Sequence, residues 1–181
     1  MAEIIKVCTE TQITEVADLA CEIWREHYTP IIGQAQVEYM LEKFQSEKAI
    51  TEQIANGYEY YLLAVDKKNV GYLAIMQNKD KSSLLLSKIY VMNAMQGYGY
   101  GREMLLFTEN LCRQRQIKML WLTVNKNNSA SIAWYLHRGF TNAGPIVQDI
   151  GGGFVMDDFR MEKMIALDAK PNLPGKPKAA P

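Results

Sequence analysis

The feature that most constrains this chain is the stretch Ser87–Arg102, reading SKIYVMNAMQGYGYGR. An apolar run of strand character meets a turn in which Gly97, Gly99 and Gly101 alternate, and a helical pattern starts at once behind it. Removing side chains lets a ligand approach backbone N–H groups closely. A helix start adds unpaired N–H donors and the positive end of the helix dipole. Together these make an anion site, most often one for phosphate. Two phosphate motifs fail here. The dinucleotide fingerprint G-x-G-x-x-G, begun at Gly97 or Gly99, needs glycine at Arg102 or Met104; the P-loop pattern begun at Gly97 also needs it at Arg102. The spacing that fits is Q-x-x-G-x-G, carried by Gln96, Gly99 and Gly101.

The whole chain is long enough, at 181 residues, to bury a real core as one domain. Twenty basic residues balance 20 acidic ones, so no broad field argues for nucleic acid or a membrane as partner. No apolar run approaches the length of a membrane span, and Met1–Lys6 lacks the basic-then-apolar layout of a signal peptide. Cys8, Cys21 and Cys112 are odd in number and widely spaced, without a C-x-x-C pair. Neither a metal site nor a disulfide framework is expected, and a reduced, cytoplasmic setting is the default.

Periodicity gives the elements. Residues 3–8 alternate as a strand. Residues 11–27 carry Ile13, Val16, Ala17, Leu19, Ala20, Ile23 and Trp24 at helical spacing, with Pro30 expected to end the helix or to follow it closely. A second helix is expected over 36–44 and a third short one after the cap Ser46, with Gly57 just past its end. The period then changes. Strands are expected over 58–65, 70–77 and 82–92, joined by turns at 66–69 and 78–81, with Gly71 at a bulge. A helix over 101–116 and a strand over 119–124 complete a βαβ unit, which makes strands 83–92 and 119–124 parallel. A short helix over 129–138, capped by Asn128 or Ser129, and strands over 141–150 and 154–163 follow. Residues 1–166 form the expected single domain. Residues 167–181 form a Pro-rich tail expected to be disordered.

A second motif lies one helix and one strand beyond the glycines: Val124-Asn125-Lys126-Asn127-Asn128-Ser129-Ala130-Ser131-Ile132-Ala133-Trp134-Tyr135-Leu136-His137-Arg138-Gly139-Phe140. Taken singly, Asn128 is what a helix cap requires and Asn125 what a turn requires. Taken together, Val124, Asn125, Asn128, Ile132, Tyr135, Gly139 and Phe140 fall in register with V-N-x-x-N-x-x-A-I-x-x-Y-x-x-x-G-F, a signature of the GNAT superfamily of N-acetyltransferases. Ser131 replaces the usual alanine. The Gln96–Gly101 spacing resembles the acetyl-CoA motif of the same superfamily, and the resemblance covers residues 3–165.

The resemblance implies an α+β fold of α/β/α layering. Its central sheet is mixed, mostly antiparallel and twisted, with about seven strands, a splayed parallel pair and flanking helices. It implies acetyl-CoA as cosubstrate and direct acetyl transfer to a primary amine. Backbone groups of Ile89 and Val91 would pair with the pantetheine arm. The N–H groups of Gln96, Gly97, Tyr98, Gly99, Tyr100, Gly101 and Arg102 would bind the pyrophosphate, with Arg102 adding charge. Asn128 would reach the pantetheine. Tyr135 would lie near the sulfur, as the acid for the leaving thiolate. Some relatives place a glutamate base on the strand before the glycines, where this chain reads Leu86-Ser87-Lys88. Glu26 and His27, at the end of the first helix, are the alternatives, His27 because it titrates near neutral pH.

For the acceptor, the layout is similar to bacterial polyamine (spermidine/spermine) N-acetyltransferases. Glu26, Glu38, Asp157 and Asp158 are the acids such a small-molecule amine would use. The alternatives are a protein N-terminal acetyltransferase and a non-catalytic acetyl-CoA sensor. A homodimer through the C-terminal hairpin is expected from the family habit.

Overall fold

The computed structural model describes residues 2–79 and 82–167. The expected tail, save Leu167, and the turn residues 80–81 lie outside them. Seven strands form one sheet in the order β1-β2-β3-β4-β5-β7-β6. They are β1 (Ala2–Lys6), β2 (Tyr58–Val65), β3 (Lys68–Gln77), β4 (Ser83–Val91), β5 (Met119–Asn125), β6 (Thr141–Gly151) and β7 (Phe154–Met164). Every adjacent pair is antiparallel except β4–β5. The helices are α1 (Glu10–Ile32), α2 (Gln34–Met40), α3 (Glu47–Ala55), α4 (Tyr100–Gln114) and α5 (Ser129–His137). Among the described residues, no helix is long and apolar enough to cross a membrane.

The sheet is buried on both faces, which is why β2 and β3 read as nearly continuous apolar runs rather than alternating ones. Leu63, Leu73, Ile75, Leu84 and Leu120 pack with Met104 and Leu105 of α4 on one face. Tyr60, Leu62, Tyr72 and Ala74 pack with Val16, Ala20, Ile23 and Trp24 of α1, and with Ile50 of α3, on the other. Each fully buried aliphatic side chain stabilises the fold by ~1.5–3 kcal/mol.

Three local outcomes differ from the sequence reading. Pro30 does not stop α1, which runs to Ile32 and ends at Gly33, φ 83°. Proline there removes one hydrogen bond in the final turn, at the carbonyl of Glu26; both residues are exposed, so water can replace the donor. The second helix is shorter than expected and continues as a π-helical turn over Leu41–Gln45. Such turns recur at functional sites. The bulge near Gly71 falls one residue earlier: Leu63 pairs with Gly71 and Ala64 with Asn69, so Val70 is the extra residue.

A second bulge shapes the sheet. Ala74 pairs with Lys88 and Ile75 with Leu86, which leaves Ser87 as an extra residue in β4. A bulged strand bends and twists more strongly. Accordingly β4 pairs with β5 only over Ser83–Leu85, against Met119–Trp121. From Leu86 onward the two parallel strands part. On its other side β5 stays paired with β7 as far as Asn125 and Asp158.

Candidate active site

The gap between β4 and β5 opens into a cavity of about 600 Å³. Leu85–Val91 line it from β4, Trp121–Asn125 from β5, Trp24, His27 and Tyr28 from α1, and Tyr135 from α5. The backbone of β4 past Leu85 has lost its ladder partner on this side. Buried backbone donors and acceptors require partners, so this edge is suited to an extended, amide-bearing ligand. Ile89 and Val91 both lie on it, half-buried.

The glycine turn follows directly. A 3₁₀ turn over Asn93–Met95 leads into Gln96, whose amide donates to Asn93 Oδ1 at 2.8 Å and to the Val91 carbonyl at 3.4 Å. Gly97 and Gly99 have φ of 85° and 90°, a conformation that side chains disfavour. Gly99 begins α4 without any side-chain cap. The first-turn N–H groups of Tyr100, Gly101 and Arg102 therefore have no capping side chain and suit an anion. Of this loop only Gln96 reaches the cavity; Gly97, Tyr98, Gly99 and Arg102 are exposed. The structure thus separates an exposed, glycine-led helix start from the partly open cavity beside it.

At the far side, α5 starts on Asn128, which is buried at 3% exposure. Its Oδ1 accepts from the Ser131 N–H at 3.3 Å, and its Nδ2 lies 3.2 Å from His27 Nε2. The amide thus caps one helix and reaches across to another. A hydrogen bond from Nδ2 to His27 Nε2 requires the neutral tautomer that carries its proton on Nδ1. Burial lowers the His27 pKa, in the same sense. Tyr135 is 8% exposed, its ring 5.4 Å from that of Phe140. Burial, and secondarily charge on Tyr28, pushes its pKa well up, so the phenol keeps its proton. Tyr28, whose ring lies 6.2 Å from that of Tyr90, has its pKa raised by burial too.

The candidate acids separate. Glu26 is exposed and does not line the cavity. Glu38 forms a two-point ion pair with Arg25, at 2.7 and 2.8 Å, and Asp157 pairs with Lys126. Asp158 is different: it lines the cavity at 5% exposure. Burial raises its pKa, opposed by a hydrogen bond from Thr123 and supported by the charge of Asp157. Its neighbour in sequence points the other way because successive strand residues alternate faces. The Asp157-Asp158 pair was the available signal for it; which of the two turns inward depends on the β7 register.

Lys88 was not singled out by sequence. It follows the Ser87 bulge, is 6% exposed and lines the same cavity. Its ammonium donates to Gln53 Oε1 at 2.7 Å, and burial lowers its pKa to about 7. The roof comes from α2 and the β6–β7 hairpin. Tyr39 donates to the Ile150 carbonyl at 2.7 Å, and its ring lies so close to Gly152 that an added Cβ would stand 2.7 Å away.

Comparison with known proteins is consistent with this geometry. The model of the acetyltransferase (GNAT) family matches residues 15–140. An uncharacterised N-acetyltransferase encoded in the pepI 3′ region of Lactobacillus delbrueckii subsp. lactis is 26% identical over 168 residues, covering 89% of this chain and 94% of its own. The PaiA N-acetyltransferase of Thermoplasma acidophilum, solved with coenzyme A, superposes with a TM-score of 0.75 at 21% identity, covering 91% of this chain and 99% of its own. A chimera of the spermidine N-acetyltransferase SpeG of Vibrio cholerae with hSSAT superposes with a TM-score of 0.68 at 16% identity, covering 90% and 95%. At these identities the structural likenesses are likenesses of fold. The family match spans well over half of the chain, and the parted β4–β5 pair stands beside an uncapped, glycine-led helix. The chain therefore belongs to the acetyltransferase (GNAT) family, whose acyl donor is acetyl-CoA.

Proposed function

We propose that the protein transfers the acetyl group of acetyl-CoA directly to the primary amine of a small molecule. The observation that carries this reading is the pairing of a cavity on an open strand edge with an exposed, uncapped helix start at α4. A long ligand, charged at one end and amide-bearing along its length, fits that arrangement. The N–H groups of Gln96–Arg102 would hold the pyrophosphate, Ile89 and Val91 the pantetheine amides, and Asn128 the same arm from the other side.

The cosubstrate supplies an activated thioester; the protein's residues manage the protons. The acceptor must reach the carbonyl carbon as a neutral amine. Asp158 is our candidate base, because a buried carboxyl with a raised pKa takes up a proton more readily than a surface acid. His27 is less well placed, since its Nε2 already accepts from Asn128. As the new C–N bond forms and the C–S bond breaks, negative charge gathers first on oxygen, then on sulfur. An N–H of the open β4 edge at Val91 would meet the first. The Tyr135 hydroxyl would donate to the second.

Purified protein is assayed by thiol release with acetyl-CoA and a panel of primary amines, with donor binding measured separately by titration calorimetry. Tyr135→Phe is expected to lower kcat by about 10²–10³-fold with donor affinity retained, and Asp158→Asn to remove the acidic limb of the kcat/KM profile. An unchanged rate in both variants refutes these roles.

A polyamine acceptor is a second reading, favoured by Asp158 in the cavity and by the spermidine N-acetyltransferase of like fold. Turnover of spermidine ahead of monoamines supports it. Self-association belongs to the proposal as well. β6 is an exposed edge strand carrying Val147 at 65% exposure; sedimentation velocity showing only a monomer rejects it.

A further inference from the structure

We propose that the acceptor amine carries a carboxylate, and that Lys88 with Gln45 on the inner wall of the cavity holds it. This rests on the acetyl-transfer reading above and names its substrate class.

Lys88 is a buried cation without an anion. A lysine ammonium has three donors. One goes to Gln53 Oε1. The rings of Tyr58 and Tyr60 lie 5.7 and 5.2 Å from Nζ and give partial compensation. No carboxylate pairs with it among the described residues. A charge taken out of water without a counter-ion is costly, and the low pKa expresses that cost. An arriving anion would supply the missing partner and draw the ammonium fully into its charged form.

Gln45 provides a second donor. It is 3% exposed and lines the same cavity. Its Oε1 accepts from the Tyr72 hydroxyl at 3.2 Å, while its NH₂ makes no hydrogen bond among the described residues. Gln53 links the two groups: its Oε1 takes Lys88, and its Nε2 donates at 3.0 Å to the carbonyl of Phe44, the residue before Gln45. The π-helical turn that sets Gln45 inward and the bulge that sets Lys88 inward are both departures from regular structure. They converge on one wall.

The donor set selects the anion. One ammonium and one amide match a carboxylate's two oxygens and single charge. A phosphate would require more donors, and no arginine lines the cavity among the described residues. A polyamine would bring another cation towards Lys88, which like-charge repulsion opposes.

The test is steady-state acetylation by the full-length protein of matched amines. The first set is 4-aminobutyrate, putrescine and butylamine; the second is L-amino acids, each beside its decarboxylated amine. The carboxylate-bearing member of a set is expected to exceed its partners by about tenfold or more in kcat/KM. In Lys88→Met, and to a lesser degree in Gln45→Leu, that preference is expected to collapse through KM, with acetyl-CoA affinity retained. Preference for putrescine or butylamine overturns the proposal, as does a preference that survives both substitutions. A Lys88→Met loss confined to kcat assigns Lys88 a proton-transfer role and also overturns it. Acetyl-CoA binding without turnover of any amine instead overturns the acetyl-transfer reading on which the proposal rests.

Discussion

A Cβ built on Gly71 would lie 2.5 Å from the Tyr90 carbonyl oxygen, and that atom belongs to strand backbone with no freedom to swing aside. Gly71→Ala must therefore push β4 outward at Tyr90–Val91, the segment that walls the cavity. It is expected to cost ~1–3 kcal/mol in urea unfolding and to weaken acetyl-CoA binding in the same variant. Unchanged stability with unchanged affinity counts against the close approach. The sequence marked this glycine but not its reason, because the neighbouring strand is 19 positions away in the chain. Lys88 shows the same limit. Its burial follows from a bulge, from α3 above it and from two tyrosines of another strand, none of them local. By contrast, the glycines at 97, 99 and 101 and the cap Asn128 were legible, because backbone conformation and capping depend on adjacent residues. Which of Asp157 and Asp158 turned inward was not, since alternation gives the period of a strand and not its phase.

Among the elements, α4 carries the proposed anion site at its start and must be held at a fixed height over the sheet. Its apolar face does most of this, but Glu109 adds a buried polar anchor. Glu109 Oε1 accepts from Lys163 Nζ of β7 at 2.6 Å, and the same ammonium donates at 2.7 Å to the Arg138 carbonyl at the end of α5. One lysine thus couples the helix that begins at the glycine loop to the helix that carries Tyr135. With Glu109 only 5% exposed, Glu109→Ala strands a part-buried cation and is expected to lose ~3–5 kcal/mol, read as a lower midpoint in denaturant. A loss below about 1 kcal/mol would mark the pair as a surface bridge. Helix and strand identities were readable from period because these elements are long and one-sided in pattern. The π-helical turn after α2 was not, since it leaves the apolar spacing of residues 37–44 almost unaltered while turning Gln45 inward. Pro30 misled for a related reason: a proline rule that holds for helix interiors weakens in an exposed last turn.

At the scale of the whole molecule, one charged cluster lies away from the cavity. Glu59 of β2 binds Arg115 at 2.5 and 3.0 Å, Lys6 of β1 at 2.9 Å and the Tyr61 hydroxyl at 2.9 Å. The hydrogen bond from Arg115 is the largest cause, opposed by burial and joined by Lys6 and Tyr61, and it lowers the Glu59 pKa to about 2. A lowered folded-state pKa means stability that is present above the ordinary glutamate range and lost as pH falls towards 2. The melting temperature is expected to drop over that interval more steeply in the native protein than in Glu59→Gln. Parallel curves for the two would remove the cluster from the account of acid stability.

The extra residue Ser87 has a consequence for how the molecule spends its life. It divides β4 into an anchored half, closed on β5, and an open half whose amides face the cavity. On the proposed reading, those amides find their partners only when the donor is present, so the sheet is finished by a metabolite and not by the chain. Ligand and fold are then thermodynamically linked: the protein resists unfolding better as acetyl-CoA becomes more plentiful. Solvent exchange at 86–91 would register the same occupancy. A single inserted serine thereby makes the durability of the protein a readout of the acetyl supply around it.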